Sequence, residues 1–428
     1  MMQKFLDKIF QLKAHRTSVR TEALAGMIGF FTVVYIIVVN SSILAEAGVP
    51  YQGAILATIF IAVVGCLVMG FWANAPLILM PGMGINALFA YNFVQTLGLS
   101  WQQALAVVVV SGFLFMILAF TPLARKLNDT IPLILKQGIT VGLGLFLVLL
   151  GLEKGQIVSR GEHSILAFGD MHDPFVLATL ITLVLTMILL VRKIPGAFLW
   201  SLVIGTVVSV LFGVHGEVSK DSLSLAPWKD VLFQADFTGV SQIAFWTSVF
   251  SLTMVLVFET VGLTHGQMKQ LDQMEKLPRV LQASSFTAFL SGLFGTSPTI
   301  SALESGSMSA SGARTGLASV TVAIFFLASL VLMPYISFIP NSAIAPILIV
   351  IGISMLQEIK EMDFGNAADT FAALLIVIII PFSYSIADGI AVGFIAYPIL
   401  RLFSKNRTRT PILMYIIAAL FLIQFIVQ

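Results

Sequence analysis

The stretch 76-PLILMPGMGINALFAYN-92 decides the fold, together with a second stretch of the same kind, 295-GTSPTISALESGSMSASG-312. Each carries a proline near its start and is dense in glycine or serine, in a chain that is otherwise rich in long apolar runs. This composition predicts an extended segment that leads into a short helix. At membrane depth such irregular backbone is tolerated only where it lines a cavity or is buried in protein.

The composition of the whole chain predicts a membrane protein. Of 428 residues, 58% are hydrophobic and 10% are charged, and the mean hydropathy is +0.99. Soluble domains carry roughly 25% charged residues, whereas a bilayer span needs about 20 consecutive apolar residues. The net charge of +2 is too small to suggest a nucleic-acid partner, and the single cysteine, Cys66, allows no intrachain disulfide. We therefore expect an all-α polytopic membrane protein in contact with lipid.

The basic residues cluster between alternate apolar runs, as the positive-inside rule requires of cytoplasmic segments. These clusters are the N-terminal arm, Arg125/Lys126, Arg192/Lys193, Lys269 to Arg279, Arg314 and Arg401 to Arg409. They fit about 14 spans with a cytoplasmic N-terminus in the cell membrane, and the polar segments 152–173 and 215–241 then face outward. The apolar runs fall at about 23–45, 52–72, 76–95, 102–122, 131–151, 174–192, 196–214, 242–264, 281–294, 298–311, 316–338, 342–357, 368–383, 385–403 and 411–427.

The two interrupted stretches occupy equivalent positions in the two halves of the chain. From Ala23, where the first run starts, to Asn86 is 63 residues, and from Gln242 to Glu304 is 62 residues. The spacing predicts two inverted seven-span repeats, and the alternative is a coincidence between two packing helices. Paired interrupted segments of this kind point to the substrate site of a transporter. The last run, 411–427, either crosses the membrane or lies against the bundle.

Two carboxyl groups and one amide are the candidates for chemistry. Glu259 follows the apolar run 249-VFSLTMVLVF-258, and Glu304 lies in the second interrupted stretch. Such residues are costly inside a membrane and are functional candidates by default. The alternatives are that Glu259 ends its helix and reaches water, and that Glu304 caps a helix. Asn86 offers both a donor and an acceptor, although it could instead cap the helix that begins there.

Small residues of the same stretches complete the candidate site. Gly82, Gly84 and Gly306 would let a planar ligand approach the backbone closely. The helix starts also offer free backbone N–H groups and positive dipole ends. Ser305 is a further substrate-binding candidate in the second stretch.

Other chemistries lack their motifs. The five histidines show no metal-ligand spacing on one helix. The sequence contains no GxxxxGK[ST], HExxH or GxSxG, and the run 142-GLGLFL-147 lacks the βαβ context of a dinucleotide site. We therefore expect no metal and no cofactor, which disfavours a membrane-embedded enzyme. One loop cluster could bind a cation but is more typical of a solvated loop: Glu162, His163, Asp170, His172 and Asp173.

These stretches resemble the AzgA-like adenine/guanine/hypoxanthine permeases of the nucleobase–cation symporter-2 family. The matching stretches span nearly the whole chain: 31-FTVVYIIVVNSSIL-44, 70-GFWANAPLILMPGMGINALFAY-91, 258-FETVG-262, 296-TSPTISALESGSMSASGARTGL-317 and 381-PFSYSIADGIAVGFIAY-397. The resemblance implies fourteen spans in two inverted repeats, with the substrate between a core and a gate domain. The corresponding division is an arm at 1–22, a core from 23–126 and 242–338, a gate from 127–215 and 339–403, and an extra segment at 411–427.

The resemblance also implies roles for single residues. Asn86, Glu259 and Glu304 match the binding residues of the family. Two positions depart from its pattern. The acid at Glu259 is commonly aspartate in purine members, so the site gains a methylene. Gly312-Ala313 stands where the family has a glycine pair before Arg-Thr-Gly.

The chemistry of these residues suits a purine base. An oxopurine presents adjacent N–H donors, and a carboxylate accepts two parallel charge-assisted hydrogen bonds. Glu304 and Glu259 would accept from such an edge while Asn86 reads a carbonyl or ring nitrogen. Phe89 and Tyr91 would either stack on the ring or serve in packing. Burial and a second carboxylate both favour the protonated form, so one of the two acids is also expected to take a coupling proton.

We therefore expect a proton-coupled importer of purine bases, guanine/hypoxanthine and also adenine, that works by alternating access. Its expected partners are the base, protons and membrane lipid, with a homodimer as a further expectation. The alternative of another class is an anion or other small-solute transporter or channel on the same fold. Two acids with no basic partner argue against an anion.

Overall fold

The structure, a computed structural model, describes residues 2–121, 130–159, 161, 164, 166–216, 224–404 and 410–427. The predictions for Arg125, Lys126, Glu162, His163 and residues 405–409 lie outside these ranges. The helices are α1 Met2–Phe10, α2 Val19–Val33, α3 Ile36–Glu46, α4 Tyr51–Val68, α5 Met83–Ala87, α6 Trp101–Ala119, α7 Leu133–Lys154, α8 Pro174–Val191, α9 Ala197–Leu211, α10 Ile243–Gln270, α11 Leu277–Phe294, α12 Ser305–Ala310, α13 Gly316–Ala328, α14 Met333–Ile336, α15 Asn341–Met355, α16 Ala367–Ser383, α17 Ile386–Phe403 and α18 Ile412–Val427.

The helices confirm the prediction of a polytopic helical membrane protein. Within the described ranges, nine helical segments are long and apolar enough to cross a membrane, and three shorter apolar helices accompany them. The predicted number of about 14 spans and the inverted repeat stay predictions. The last run forms α18, whose Phe421 ring lies 5.6 Å from Phe394 of α17 and 4.8 Å from Phe250 of α10.

The two interrupted stretches meet in the interior, each as the predicted extended segment followed by a short helix. Strand β1 (Leu79–Pro81) precedes α5, and strand β4 (Thr299–Ser301) precedes α12. The strands pair antiparallel with Met80 opposite Ile300. The pairing satisfies backbone groups that apolar surroundings would otherwise leave without partners.

The described helices pack as two groups. The first group consists of α2, α3, α4, α6, α10, α11 and α13 around the paired strands, and the second consists of α7, α8, α9, α15, α16 and α17. Within the first group α6 packs on α11 and α2 on α13; within the second, α7 packs on α15 and α16.

Polar contacts hold the residues that flank both interrupted stretches, at the end of the bundle that carries Lys269 to Arg279. Glu22 of α2 is fully buried and accepts from the backbone N–H groups of Arg314 (2.8 Å) and Thr315 (3.3 Å). Asn74 accepts from the Gly316 N–H at 2.8 Å, and its carbonyl accepts from the Lys276 ammonium at 2.7 Å. Burial lowers the pKa of Lys276 to about 8, although the negative charges of Glu275 and Glu22 act to raise this pKa. We call this end the basic end.

Several local features were not predicted. The first span is interrupted at Val34 and Tyr35, between α2 and α3. Two π-helical stretches, Met69–Ala73 and Leu88–Thr96, continue α4 and α5. The polar segments 152–173 and 215–241 carry a two-stranded ladder of β2 (Val158–Ser159) and β3 (Ala167–Phe168), and the 3₁₀ turns Ala226–Asp230 and Phe237–Ser241.

Close backbone contact between Gly70 and Gly316 allows a stability test. A Cβ atom at Gly316 would lie 2.7 Å from Gly70 Cα and in overlap with the Gly70 carbonyl oxygen. We expect Gly316→Ala to lower the free energy of unfolding by about 1–3 kcal/mol, because both partners are backbone and cannot rotate away. Thermal unfolding in detergent measures the effect. Gly266→Ala, which meets nothing within 4 Å, is the control; equal stability of the two variants would contradict the contact.

Candidate functional site

A cavity of about 730 Å³ lies between α7, α10, α15 and the second interrupted stretch. Its volume falls within the range of about 300–1,000 Å³ typical of small-molecule sites. Buried Leu143 and Phe258 line it inside, and exposed Gln270 and Lys360 line it near the surface. The cavity therefore reaches the surface at the basic end. Its other polar lining residues are Lys136, Gln137, Thr140, Glu259, His265, Gln267, Ser354, Gln357, Glu358 and Glu361.

Glu259 lines this cavity. Its Oε2 atom is buried and has no hydrogen-bond partner within the part of the chain that the structure describes. Helix α10 continues to Gln270, about 16 Å beyond Glu259 at 1.5 Å per residue. Helix α10 therefore does not end near His265, as the alternative for Glu259 assumed. An orphaned buried oxygen beside a cavity marks a place where a ligand donor or a proton would be stabilised.

Glu304 has a partner that the sequence did not reveal. The Tyr35 hydroxyl donates to Glu304 Oε1 at 2.6 Å. Glu304 directly precedes α12, but its side chain makes no capping hydrogen bond, so the capping alternative is wrong. Tyr35 is 1% exposed, and its ring packs against Phe198 of α9, with 4.9 Å between ring centroids. One oxygen of Glu304 is thus committed to a side chain that touches the second helix group.

Asn86 belongs to a buried network that joins the two stretches. Gly82 holds the cap position of α5, so Asn86 lies inside the helix and the capping alternative is wrong. Its Oδ1 accepts from the Ser297 hydroxyl at 2.5 Å, and its Nδ2 faces Met83 Sδ at 3.8 Å. Ser297 also lies 3.3 Å from Asn40 Oδ1, and Asn40 donates to Thr58 at 2.7 Å. Asn86 is fully buried.

The remaining candidates divide between packing and the cavity. Gly306 lines the cavity with open space where a Cβ would stand, whereas Gly84 lies against Leu143 of α7. Ser305 is fully buried and accepts from the Ile78 N–H at 3.0 Å, which ties the two stretches together. Phe89 is fully buried. The Tyr91 hydroxyl donates to Glu46 Oε2 at 2.7 Å, away from the cavity lining.

Gln267 is a cavity residue that sequence reasoning missed. Its Nε2 donates to the Ala302 carbonyl at 2.7 Å, and its Oε1 accepts from the Ser301 hydroxyl at 2.7 Å. Gln267 thereby fixes strand β4 against α10, on the helix that carries Glu259. The sequence signal that could have identified Gln267 is its position eight residues, about two turns, after Glu259 on the same helix face.

In the part of the chain that the structure describes, no group of three or more His, Cys, Asp or Glu residues could hold a metal ion. From the loop cluster named above, Asp170 and His172 are exposed and lie 3.4 Å apart. Both belong to the solvated surface.

A helical bundle with two buried, mutually paired extended segments beside a cavity has the architecture of a secondary transporter. Residues 20–392 match the model of a permease family, Xan_ur_permease. The chain belongs to this permease family. The expectation of a permease, rather than an enzyme, is thereby confirmed, as is that of a multi-pass membrane protein.

Relatives cover most of the chain. It is 45% identical over 381 residues to the nucleobase transporter PlAzg2 of Paenibacillus larvae subsp. larvae. This alignment covers 88% of this chain and 76% of the relative. It is 36% identical over 432 residues to the guanine/hypoxanthine permease PbuO of Bacillus subtilis, in an alignment that covers 98% of this chain and 100% of the relative. It is 30% identical over 432 residues to the adenine permease AdeP of Escherichia coli, with 99% and 96% covered.

The fold is shared with solved structures of low sequence identity. The transmembrane domain of a cyanobacterium bicarbonate transporter, BicA, matches with a TM-score of 0.65 at 16% identity, over 87% of this chain and 97% of that chain. Murine Slc26a9, an anion transporter in the inward-facing state, matches with a TM-score of 0.67 at 13% identity, over 90% and 68%. At these identities the likeness concerns the fold alone.

The bond between Asn86 and Ser297 makes a testable prediction. Asn86→Ala and Ser297→Ala should each lower the free energy of unfolding by about 1–3 kcal/mol, because each removes a buried hydrogen bond. Ser297→Ala leaves Asn86 Oδ1 without its donor, and Asn86→Ala leaves the Ser297 hydroxyl only its longer contact to Asn40. The double variant should lose less than the sum of the two, as expected for residues in contact. Thermal unfolding in detergent measures all three variants. Loss of base affinity in Asn86→Ala at unchanged stability would instead assign the amide to the substrate.

Proposed function

We propose that this permease imports purine nucleobases, guanine or hypoxanthine and also adenine, together with protons. The observation that carries the proposal is the buried Oε2 atom of Glu259, which has no hydrogen-bond partner among the described residues and lies at a cavity of about 730 Å³. The N–H edge of a purine supplies the donor that this oxygen lacks. The relatives named as nucleobase, guanine/hypoxanthine and adenine permeases support the same substrate class.

The two acids have different surroundings, which supports different roles. Glu304 accepts a hydrogen bond from Tyr35, and such a bond stabilises the ionised form. Glu304 would therefore remain an acceptor for a base N–H. Glu259 has a buried oxygen without a donor, which favours protonation whenever no base is present. Glu259 is accordingly our candidate for the coupling proton, and Asn86 would orient the base through the stretch that it anchors.

Alternating access is the transport mode that we propose for the two helix groups, the first as the core domain and the second as the gate domain. The cavity reaches the surface at the basic end, which the positive-inside rule assigns to the cytoplasm of a cell-membrane protein. The structure would then correspond to an inward-facing state.

Proton coupling predicts a pH dependence. Uptake of labelled hypoxanthine into cells should rise as the external pH falls and should collapse on addition of a protonophore, because the proton gradient supplies the driving force. Uptake in the presence and absence of sodium is the control. Uptake that needs sodium and ignores the protonophore would refute proton coupling and leave the substrate proposal standing.

The proposed division of roles between Glu304 and Glu259 predicts different transport defects when each is replaced by glutamine. Glu304→Gln should lose both binding and transport, because its amide presents a donor to the base N–H. Glu259→Gln should lose accumulation but retain exchange of labelled for unlabelled base, since exchange needs alternating access and no net proton movement. Binding, counterflow and pH-driven uptake are measured in proteoliposomes.

Glu275→Gln, which removes an exposed carboxylate at the basic end, is the matched control and should behave as the parent. Full pH-driven accumulation by Glu304→Gln would overturn the site assignment. Full accumulation by Glu259→Gln would show that another group carries the coupling proton.

A further inference from the structure

The end of the bundle opposite the basic end is held by polar contacts between the two helix groups. Lys154, at the end of α7, forms an ion pair with Glu46, at the end of α3. The Lys154 side chain is only 8% exposed. Asn92 of the third span donates to the Ser385 hydroxyl at 2.7 Å, between α16 and α17. Each of these bonds joins the second group, or the turn between its helices α16 and α17, to the first group or to the stretch 76–92 that the first group surrounds.

Other residues hold the ion pair in place on both sides. On the first group, the Tyr91 hydroxyl donates to Glu46 Oε2 at 2.7 Å. On the second, Tyr384 donates to Glu153, the neighbour of Lys154. The Tyr91 ring lies edge-on to Phe146 at 6.1 Å and to Tyr384 at 6.3 Å, so aromatic rings fill the boundary beside the ion pair.

These contacts stand apart from the open cavity. On α7 the cavity lining reaches Leu143, and Lys154 lies 11 residues, about 16 Å, further along the helix at 1.5 Å per residue. Beside the ion pair is a separate cavity of about 530 Å³, lined by Glu46, Lys154 and Asn341 among others. The groups are thus tied at one end of α7 and separated by a cavity at the other.

We propose that Glu46 and Lys154 are positioning residues for transport: their ion pair is a latch that closes the outer path while the site is open at the basic end. The latch touches no substrate. It acts through the relative position of the two helix groups, and it must break for the outer path to open. This inference rests on the proposed alternation of access, and its test uses no substrate.

The physical reason is that the Lys154 ammonium is shielded from water in the closed arrangement and has its compensating charge in Glu46, whose side chain is 38% exposed. A partly buried ion pair is screened less than an exposed one, so removing Glu46 leaves the Lys154 charge poorly compensated, and removing Lys154 abolishes the attraction between the two groups. A change that weakens only one of two states shifts the population toward the other. Loss of the latch therefore favours the outward-open arrangement.

Thiol accessibility at Leu150 tests the latch. Leu150 lies one turn before Lys154 on the same face of α7 and is 4% exposed. A membrane-impermeant maleimide is added to intact cells that express Leu150→Cys. Adding Lys154→Gln or Glu46→Gln should raise the labelling rate roughly threefold to tenfold, and the reversal Glu46→Lys with Lys154→Glu should bring it back toward the parent rate.

The controls separate a latch from damage to the fold. Cys66 is fully buried, so the parent protein without Leu150→Cys should not be labelled. Lys229→Gln removes an exposed charge from the outer segment 215–241 and should leave the rate unchanged. The variants are also purified and checked by size exclusion, because an unfolded chain would be labelled everywhere.

Accessibility from the other side gives a reciprocal test. Thr140 lines the open cavity, so Thr140→Cys should be labelled in inside-out vesicles, and more slowly once Lys154→Gln is added. Faster outer labelling together with slower inner labelling supports the latch, whichever solute is carried. Unchanged rates in both single variants, or a charge reversal that labels as fast as the singles, would overturn it.

Discussion

The antiparallel pairing of β1 with β4 is the constraint on which the rest of the structure depends. Each strand interrupts helical backbone inside an apolar bundle, where an unpaired N–H or C=O would be costly. The partners come from opposite halves of the chain, with Leu79 opposite Ser301. Neither interrupted stretch can therefore adopt its conformation without the other. The helices α5 and α12, and with them Glu304, receive their positions from this pairing.

The fold was largely predictable because the signals that set it are local. Long apolar runs mark the helices, and proline with glycine or serine marks the two interruptions. Glu259 was predictable for the same reason, as a charge inside an apolar run. Its cavity was not, because it is lined by residues of α7 and α15, which are distant in the sequence.

The partners of the candidate residues escaped prediction because they depend on tertiary contact. Tyr35 lies 269 residues from Glu304, and Asn86 lies 211 residues from Ser297. No periodicity in one sequence links residues at such separations. The break at Val34 and Tyr35 was not predicted either, because β-branched and aromatic residues inside an apolar run do not indicate where a helix ends. Ser305 resembled a ligand residue from its place beside Glu304, yet its hydroxyl accepts from backbone.

The distribution of glycine contacts explains how two such groups could move as units. Gly112 of α6 packs on the backbone of Phe289, and Gly144 of α7 on the backbone of Gly352. The first contact lies inside the first group and the second lies inside the second group, and in each the close backbone approach leaves little room for helices to slide. At the boundary the Glu46–Lys154 pair, the Asn92–Ser385 bond and aromatic edges join the two groups. Hydrogen bonds and ion pairs of this kind can be exchanged for water, whereas interlocked backbone cannot be separated without opening a void. Close backbone contact within each group therefore favours displacement of one group against the other over deformation within either, which is the kind of motion that the proposed alternating access requires.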